Sequence, residues 1–377
     1  MVTISISVIS VLLTFLYAFV VLFFRTGWLK IRPFKASDKI PNTKVSILIA
    51  ARNEEDKIAF TLDDLIAQNY QKHLLEIIII DDHSTDQTSE IIFKYAHLGV
   101  KLIKLDEKEP LNSYKKKAIS EAIKIASGTL MITTDADCRM EKNWISTLVN
   151  FYERYDFNLI SAPVIYFEEQ SLFERLQTLE FLYLIGLGAA GIGNKMPSTC
   201  NGANLAYKKE VFLALDGFKG IDDLASGDDE LFLHKVAKAY PNSIGFCKSD
   251  DAIVYTHAKP NLAEFILQRK RWASKSVKYK DKKVMFLAVS LWFFNVSLLL
   301  NLILGLFYPL LFTLLIIQLI IKISVEYLYL QELTAFVNRK KLIYYTSFLS
   351  ILHVVYFIYI GLAANSGKYV WKGRLVK

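Results

Sequence analysis

Two aspartates in the pattern Asp135-Ala136-Asp137 follow the apolar run Leu130–Thr134, and alternate residues leaving a strand can both point at one ligand. Magnesium takes one or two carboxylates plus substrate phosphates and water, so this pair suits the cation of a nucleotide diphosphate. A solvated turn would use the same residues. Asp81 and Asp82 end a second aliphatic run and suit either hydrogen bonds to a base or ribose, or the capping of a helix start. Arg52-Asn53-Glu54-Glu55 ends a third. Acidic groups crowded in this way repel one another and need a cation or ligand to offset them. Ser226-Gly227-Asp228-Asp229-Glu230 adds carboxylates of which one can take a proton from an attacking hydroxyl, or which simply favour a helix N-terminus.

Gln268, Arg271 and Trp272 are spaced i, i+3, i+4, so a helix shows them on one face. That face offers an amide, a guanidinium for phosphate and an indole for stacking on a sugar ring; an interfacial helix at headgroup level would look the same. Lys115-Lys116-Lys117 either neutralises phosphate or solvates a helix start. Cys200-Asn201-Gly202-Ala203-Asn204 reads as a turn that can bring amides near a sugar. His83, His97, His234 and His257 share no spacing and read as structural.

The elements that must position these residues alternate. Strands are expected over 44–51, 75–80, 100–105 and 130–134, with helical spacing between them at Ile58, Leu62, Leu65 and Ile66, then at Ile91, Ile92 and Tyr95, then at Ala118, Ala122 and Ile123. The Leu75–Ile80 run is continuously aliphatic, as in a parallel strand buried on both faces. Ser113 is expected to cap the third helix; Gly99 and Gly128 are expected to end the second and third. The order predicts an α/β fold, a doubly wound, mostly parallel sheet, whose ligands lie at the carboxyl ends of the strands. Residues 168–184 look like an amphipathic helix interrupted by the glycine-rich stretch 186–193, and residues 261–283 like a basic amphipathic helix.

The chain has 377 residues, a net charge of +8 and 53% hydrophobic content, placed unevenly. Apolar runs at 2–24, 284–323 and 342–364 are long enough to span a bilayer, and Gly305 with Pro309 breaks the second into two. Four spans follow: residues 1–25, then about three in 284–364, enclosing a soluble domain at 40–283 and leaving a basic tail at 365–377. Arg25, Lys30, Arg32 and Lys35 on one flank, and Lys275, Lys278, Lys280, Lys282 and Lys283 on the other, put the soluble domain in the cytoplasm. Four spans would put Lys368, Lys372, Arg374 and Lys377 outside, against the same rule. The first run continues directly into Arg25 and has no basic leader, which disfavours a cleaved signal peptide. The three cysteines, Cys138, Cys200 and Cys247, are widely spaced and predict neither a disulfide framework nor a zinc site. The positive charge lacks the aromatic interleaving of a nucleic-acid surface and fits attraction to anionic headgroups.

Taken together, Ala50–Glu55, Asp81–Asp86, Asp135–Asp137, Asn201–Tyr207, Gly227–Asp229 and Gln268–Trp272 resemble the family 2 glycosyltransferases, on the branch of cellulose, chitin, hyaluronan and poly-N-acetylglucosamine synthases. The resemblance covers roughly residues 44–275. It implies a GT-A type fold with flanking transmembrane helices, a nucleotide-sugar donor (usually a UDP-sugar) and magnesium or manganese. It also implies donor contacts at Arg52, Glu54, Asp81, Asp82 and Lys115, donor and metal carboxylates at Asp135 and Asp137, and a catalytic base at Asp229 with Asp228 beside it. Acceptor and pyrophosphate contacts would come from Asn201, Gly202, Asn204, Gln268, Arg271 and Trp272. The chain departs from the family in having Ser113-Tyr114 where glycine commonly precedes the lysine, and Gly-Asp-Asp where Thr-Glu-Asp is common.

The expectation is therefore an integral protein of the cell (inner) membrane, an inverting transferase forming a β-linkage on a lipid-linked or membrane-embedded acceptor. A growing polysaccharide is the second choice of acceptor, and fewer spans than in polymer-exporting synthases argue against it. The contrasting reading is a non-catalytic membrane assembly or export factor on the same fold. A Rossmann oxidoreductase is excluded because no Gly-x-Gly-x-x-Gly follows the first strand.

Overall fold

The computed structural model describes residues 2–37, 39–107, 111–224, 226–274, 282–363, 369–371 and 374–376. Its strands are β1 (Val45–Ala51), β2 (Leu75–Asp81), β3 (Val100–Lys104), β4 (Leu130–Thr133), β5 (Arg139–Met140), β6 (Leu159–Ser161), β7 (Val164–Tyr166), β8 (Leu205–Lys208), β9 (Ile244–Phe246) and β10 (Val254–Thr256). Its helices are α1 (Val2–Lys30), α2 (Ile58–Ile66), α3 (Thr88–Lys94), α4 (Tyr114–Ile125), α5 (Trp144–Tyr155), α6 (Leu172–Gly193), α7 (Lys209–Ala214), α8 (Glu230–Ala239), α9 (Leu262–Ser274), α10 (Lys282–Gly305), α11 (Pro309–Phe336) and α12 (Thr346–Ala363). The chain divides into two compact units: Met1–Leu29 with Gln170–Gly186 and Lys259–Tyr369, and Lys30–Glu169 with Leu187–Ala258 and Val370–Lys377.

The second unit holds a seven-stranded sheet in the order β3-β2-β1-β4-β8-β6-β9, with β8 antiparallel to both neighbours and the other pairs parallel. The four expected strands form, and Ile77 to Ile80 are buried, as the aliphatic run requires. Successive strands move outward from β1 to β3, then β4 returns to the other side of β1. That reversal leaves a crevice at the carboxyl ends of β1 and β4, where doubly wound sheets bind ligands. A small sheet, β5-β10-β7, stands beside it.

Two local expectations need correction. Ser113 precedes α4 but makes no side-chain capping bond, and its hydroxyl is buried without a partner among the described residues. Gly128 lies beyond the end of α4; a Cβ there would come within 2.5 Å of the Ser46 nitrogen, so close approach to β1 selects it. Gly99 behaves as expected, with φ at +90° closing the turn after α3.

The first unit contains α1, the start of α6, and α9 to α12. Gly305 ends α10 and Pro309 begins α11, matching the predicted break. The stretch 186–193 does not interrupt α6: the helix runs unbroken to Gly193. Its glycines serve close packing, since a Cβ on Gly186 would lie 2.5 Å from Leu333. Among the described residues, five helices, not four, are thus long and apolar enough to cross a membrane, α6 being the addition. In α6, 67% of the apolar window is buried inside the protein, against 33% or less in the other four.

Polar side chains tie this bundle together internally. Asn301 donates to Gln318 Oε1 at 2.8 Å and to Ser10 at 2.9 Å, while Lys322 donates to Glu326 at 2.5 Å and Tyr17 also bonds Glu326. Such bonds join helices where apolar matching alone gives no preference between neighbours. Lys275, Lys278 and Lys280, on which part of the orientation argument rests, lie outside the described residues, as do Lys368, Lys372 and Lys377 of the tail.

Candidate active site

The loops after β1 and β2 close on each other. Arg52 Nη1 donates to the carbonyls of Asp82 at 2.7 Å and His83 at 2.8 Å. Asn53 Oδ1 accepts from the Thr85 amide at 2.8 Å, and the Glu54 amide donates to Thr88 Oγ1 at 2.8 Å. Asn53 and His83 both adopt left-handed backbone, φ 49° and 55°, a conformation held here by these cross-loop bonds. Asp81 accepts from the Ser84 amide at 3.0 Å and from the Ser89 hydroxyl, so it braces the turn into α3. Asp82 is 2% exposed and sits 3.2 Å from His83 Nδ1. Neither acid caps the helix that follows: the N-cap of α3 is Gln87, which makes no side-chain capping bond.

At the end of β4, Thr61 on α2 donates to the carbonyls of Ala136 at 2.9 Å and Cys138 at 2.8 Å, fixing the loop that carries Asp135 and Asp137. The donor atoms of Asp135, Asp137 and Cys138 lie within 4.8 Å of one another. Burial pushes the Cys138 thiol well up, while the two carboxylates supply the oxygen donors of the group. Oxygen donors of this kind fit a hard divalent cation. Lys57 stands 3.8 Å from Asp137.

From the first turn of α4, Lys115 Nζ reaches Asp135 at 2.7 Å and Asp228 at 3.3 Å. Burial alone would lower the Lys115 pKa, but Asp135, Asp228 and Asp229 outweigh it and hold the ammonium above the ordinary lysine value. Thr133 at the end of β4 donates to the Gly202 carbonyl at 2.8 Å, and the Gly202 amide donates to Asp229 Oδ2 at 3.0 Å. A continuous path of bonds thus links β4 to the acidic loop before α8. The approach is close: a Cβ on Gly202 would meet Asp228 Oδ2 at 3.3 Å, so that carboxylate would have to give by a few tenths of an ångström. Asp229 also accepts from the Glu230 amide at 2.7 Å, so the acid both begins α8 and keeps a fixed carboxylate orientation.

Asn201 caps the same turn by accepting from the Ala203 amide at 2.9 Å. Asn204 differs from its expected acceptor contact. It is fully buried, donating to the carbonyls of Pro163 and Ala252, each at 2.7 Å, and accepting from the Trp144 indole at 3.0 Å. With its amide spent on the core, it locks the turn rather than facing a ligand.

Gln268, Arg271 and Trp272 lie on α9 in the other unit. Within that unit the buried member of the motif is the intervening Arg269, which donates from Nε to Glu180 at 3.0 Å and from Nη2 to its second oxygen. Its guanidinium lies 4.4 Å from the ring centroids of both Phe265 and Trp272. Gln268 Oε1 accepts from Arg269 at 2.5 Å. Gln268 and Trp272 thus frame Arg269 instead of standing apart with Arg271 as a separate face. Sequence spacing singled out neither Arg269 nor Glu180, because the partners are 89 residues apart.

Lys116 does neither of the two things expected of the lysine run. It is 2% exposed, and its ammonium donates to the carbonyls of Ile221 at 2.5 Å, Leu224 at 2.8 Å and Ser226 at 2.9 Å. Adjacent lysines of one helical turn thus divide the work: Lys115 bonds Asp135 and Asp228, and Lys116 anchors the loop that leads to Asp228.

The sheet, its crevice and the paired carboxylates define the GT-A class of nucleotide-sugar transferase folds. A mannosyltransferase from Pyrobaculum calidifontis, solved with GDP-Man and Mn2+, superposes with a TM-score of 0.61, covering 93% of this chain and 99% of that one at 17% identity. Residues 46–214, a little under half of the chain, match the glycosyl transferase family 2 model. The match stops short of Asp228, Asp229 and the α9 motif. A glucosyl-dolichyl phosphate glucuronosyltransferase of Haloferax volcanii is 23% identical over 46% of this chain and 56% of its own length. A poly-beta-1,6-N-acetyl-D-glucosamine synthase of Staphylococcus aureus is 32% identical over 38% of this chain and 34% of its own. The chain therefore spans about half or less of these curated relatives.

Proposed function

We propose that the protein is a membrane-bound inverting glycosyltransferase that moves a sugar from a nucleotide diphosphate, a UDP-sugar by family resemblance, to a lipid-linked or membrane-embedded acceptor. The observation that carries this reading is the single Lys115 ammonium within 3.3 Å of both Asp135 and Asp228. It draws the metal-type carboxylates and the base-type carboxylates into one site.

Asp135 and Asp137 would hold magnesium or manganese, which supplies charge neutralisation for the departing diphosphate. Lys115 adds a fixed positive charge beside that group. Asp229, oriented by the Gly202 and Glu230 amides, takes the proton of the acceptor hydroxyl as its oxygen bonds the anomeric carbon. The bond from that carbon to the diphosphate breaks on the opposite face, so configuration inverts and a β-linkage forms. Arg52, Glu54, Asp81 and Asp82 shape the nucleotide side by holding the β1 and β2 loops. By family resemblance alone, Gln268, Arg271 and Trp272 would meet the pyrophosphate and acceptor end.

Five apolar helices and the dolichyl-phosphate relative support an acceptor held in the bilayer. The basic flanks of the soluble domain support a cytoplasmic active site in the cell membrane. A polysaccharide acceptor is the second reading, favoured by the 32% identity to the poly-N-acetylglucosamine synthase.

The test is transfer by the purified full chain given labelled UDP-sugars or GDP-mannose, magnesium or manganese, and a membrane lipid extract. Release of nucleoside diphosphate with label in the lipid fraction is expected. Asp229→Asn should lower kcat by about 10²–10⁴-fold while calorimetric nucleotide binding stays unchanged. Full transfer by Asp229→Asn would remove the base assignment. Failure to bind any nucleotide with manganese present would instead favour a non-catalytic assembly factor.

A further inference from the structure

Beside the far edge strand of the main sheet, β9, lies a cavity of about 570 Å³. β9 is three strands along from β4, and none of the candidate active-site residues lines this space. Its volume falls within the range of small-molecule sites.

The lining has two characters. Phe151, Phe157 and Phe246 supply apolar surface, and Lys30, Arg32 and Lys195 supply three cations. Neither aspartate nor glutamate lines the cavity among the described residues. Lys30 is held in place through a 2.9 Å bond to Asn194 Oδ1. Arg32 and Lys195 are exposed, and Lys195 stands on left-handed backbone, φ 59°, just past the end of α6. Three uncompensated cations over an aromatic floor favour a ligand with an anionic head and an apolar body.

The chain itself indicates the source. Lys30 is the last residue of α1, whose 28 preceding and included residues from Thr3 are long and apolar enough to cross a bilayer. Lysine and arginine immediately beyond such a span lie at headgroup depth, where anionic lipid is concentrated.

We propose that this cavity is a binding site for an anionic phospholipid, with the phosphate on Lys30, Arg32 and Lys195 and the glycerol or acyl portion against the aromatic floor. The assignment rests on reading α1 as a membrane span and does not depend on which sugar is transferred.

The experiment measures Tm of the detergent-purified full chain with phosphatidylglycerol, phosphatidylcholine or inorganic phosphate added. Phosphatidylglycerol is expected to raise Tm by about 5 °C, the others by far less. Arg32→Glu combined with Lys195→Glu should abolish the rise, Arg32→Lys should keep it, and Lys94→Glu with Lys219→Glu, remote exposed sites, should keep it too. Nucleotide binding is followed in parallel and should be unchanged throughout, which separates this site from the transferase reading. The proposal is overturned if the double reversal at the cavity still responds, if the remote reversal loses the response equally, or if phosphatidylcholine or inorganic phosphate stabilises as strongly. Should the double reversal start from a lowered Tm, Arg32→Gln alone replaces it, and a response within a quarter of the unaltered chain's would count against the site.

Discussion

The Lys115 ammonium lies 2.7 Å from an Asp135 carboxylate oxygen, joining the first turn of α4 to the loop after β4. Before a donor arrives, this contact offsets part of the repulsion among the carboxylates. In the proposed reaction, the same cation would face the charge that develops on the leaving group.

Lys115→Met should therefore lower kcat/KM by about 10²–10³-fold, the usual effect of losing one preorganised charge contact. Lys115→Arg should recover part of it. Steady-state assays of both variants, with circular dichroism to show intact folding, check this.

Lys116 acts at one remove, through the three carbonyls it holds. Lys116→Met keeps the length and removes the charge, leaving the carbonyls of Ile221, Leu224 and Ser226 without their donor. A loss of about 2 kcal/mol of stability is expected. As a positioning residue it should also lower kcat about tenfold with little change in donor KM, because the displaced loop carries Asp229 and not the cation site. Denaturant titration and a KM-against-kcat comparison test the two parts separately.

Glu76 on β2 accepts from Ser46 at 2.6 Å, Lys101 at 2.7 Å and the Ser127 amide at 2.8 Å. Burial by itself would raise its pKa; these bonds outweigh burial and hold it at about 2. An unfolded glutamate titrates near 4.3, so the folded value is depressed. The stabilisation is present above that pH and is lost as pH falls toward about 2. Lys101 is largely exposed, so solvent screening trims the contribution to about 2 kcal/mol. Glu76→Gln should cost that much at pH 7, and its difference from the unaltered chain should shrink steadily in denaturant titrations from pH 5 to pH 3.

Arg269 and Glu180 are each under a tenth exposed. Glu180→Ala would strand a buried guanidinium and should cost about 3–5 kcal/mol. Glu180→Gln with Arg269→Met, which removes both charges, should recover much of that loss. Tm and monodispersity of the detergent-purified variants distinguish the cases.

Residues close in sequence announced most of the main sheet. Aliphatic runs became β1 to β4 within a residue or two of their expected ends, since strand patterning and burial are local properties. The Gly305–Pro309 break was equally visible. α6 was misread because its glycines were taken for breakers, whereas Gly186 is small to admit Leu333, nearly 150 positions downstream. No local pattern carries that information.

The amino-acid order alone determined that acidic residues end three strands of a parallel sheet, that long apolar helices flank it, and that the motifs resemble one transferase family. Each follows from chemistry within a few positions of chain. Tertiary packing decided which side chains do which job: Lys115 bonding two carboxylates, Lys116 gripping a loop, Asn204 buried and Asp229 oriented by Gly202. Hydrogen bonds act over about 3 Å of space, whatever the separation along the chain, so those assignments exist only once the sheet has brought the segments together.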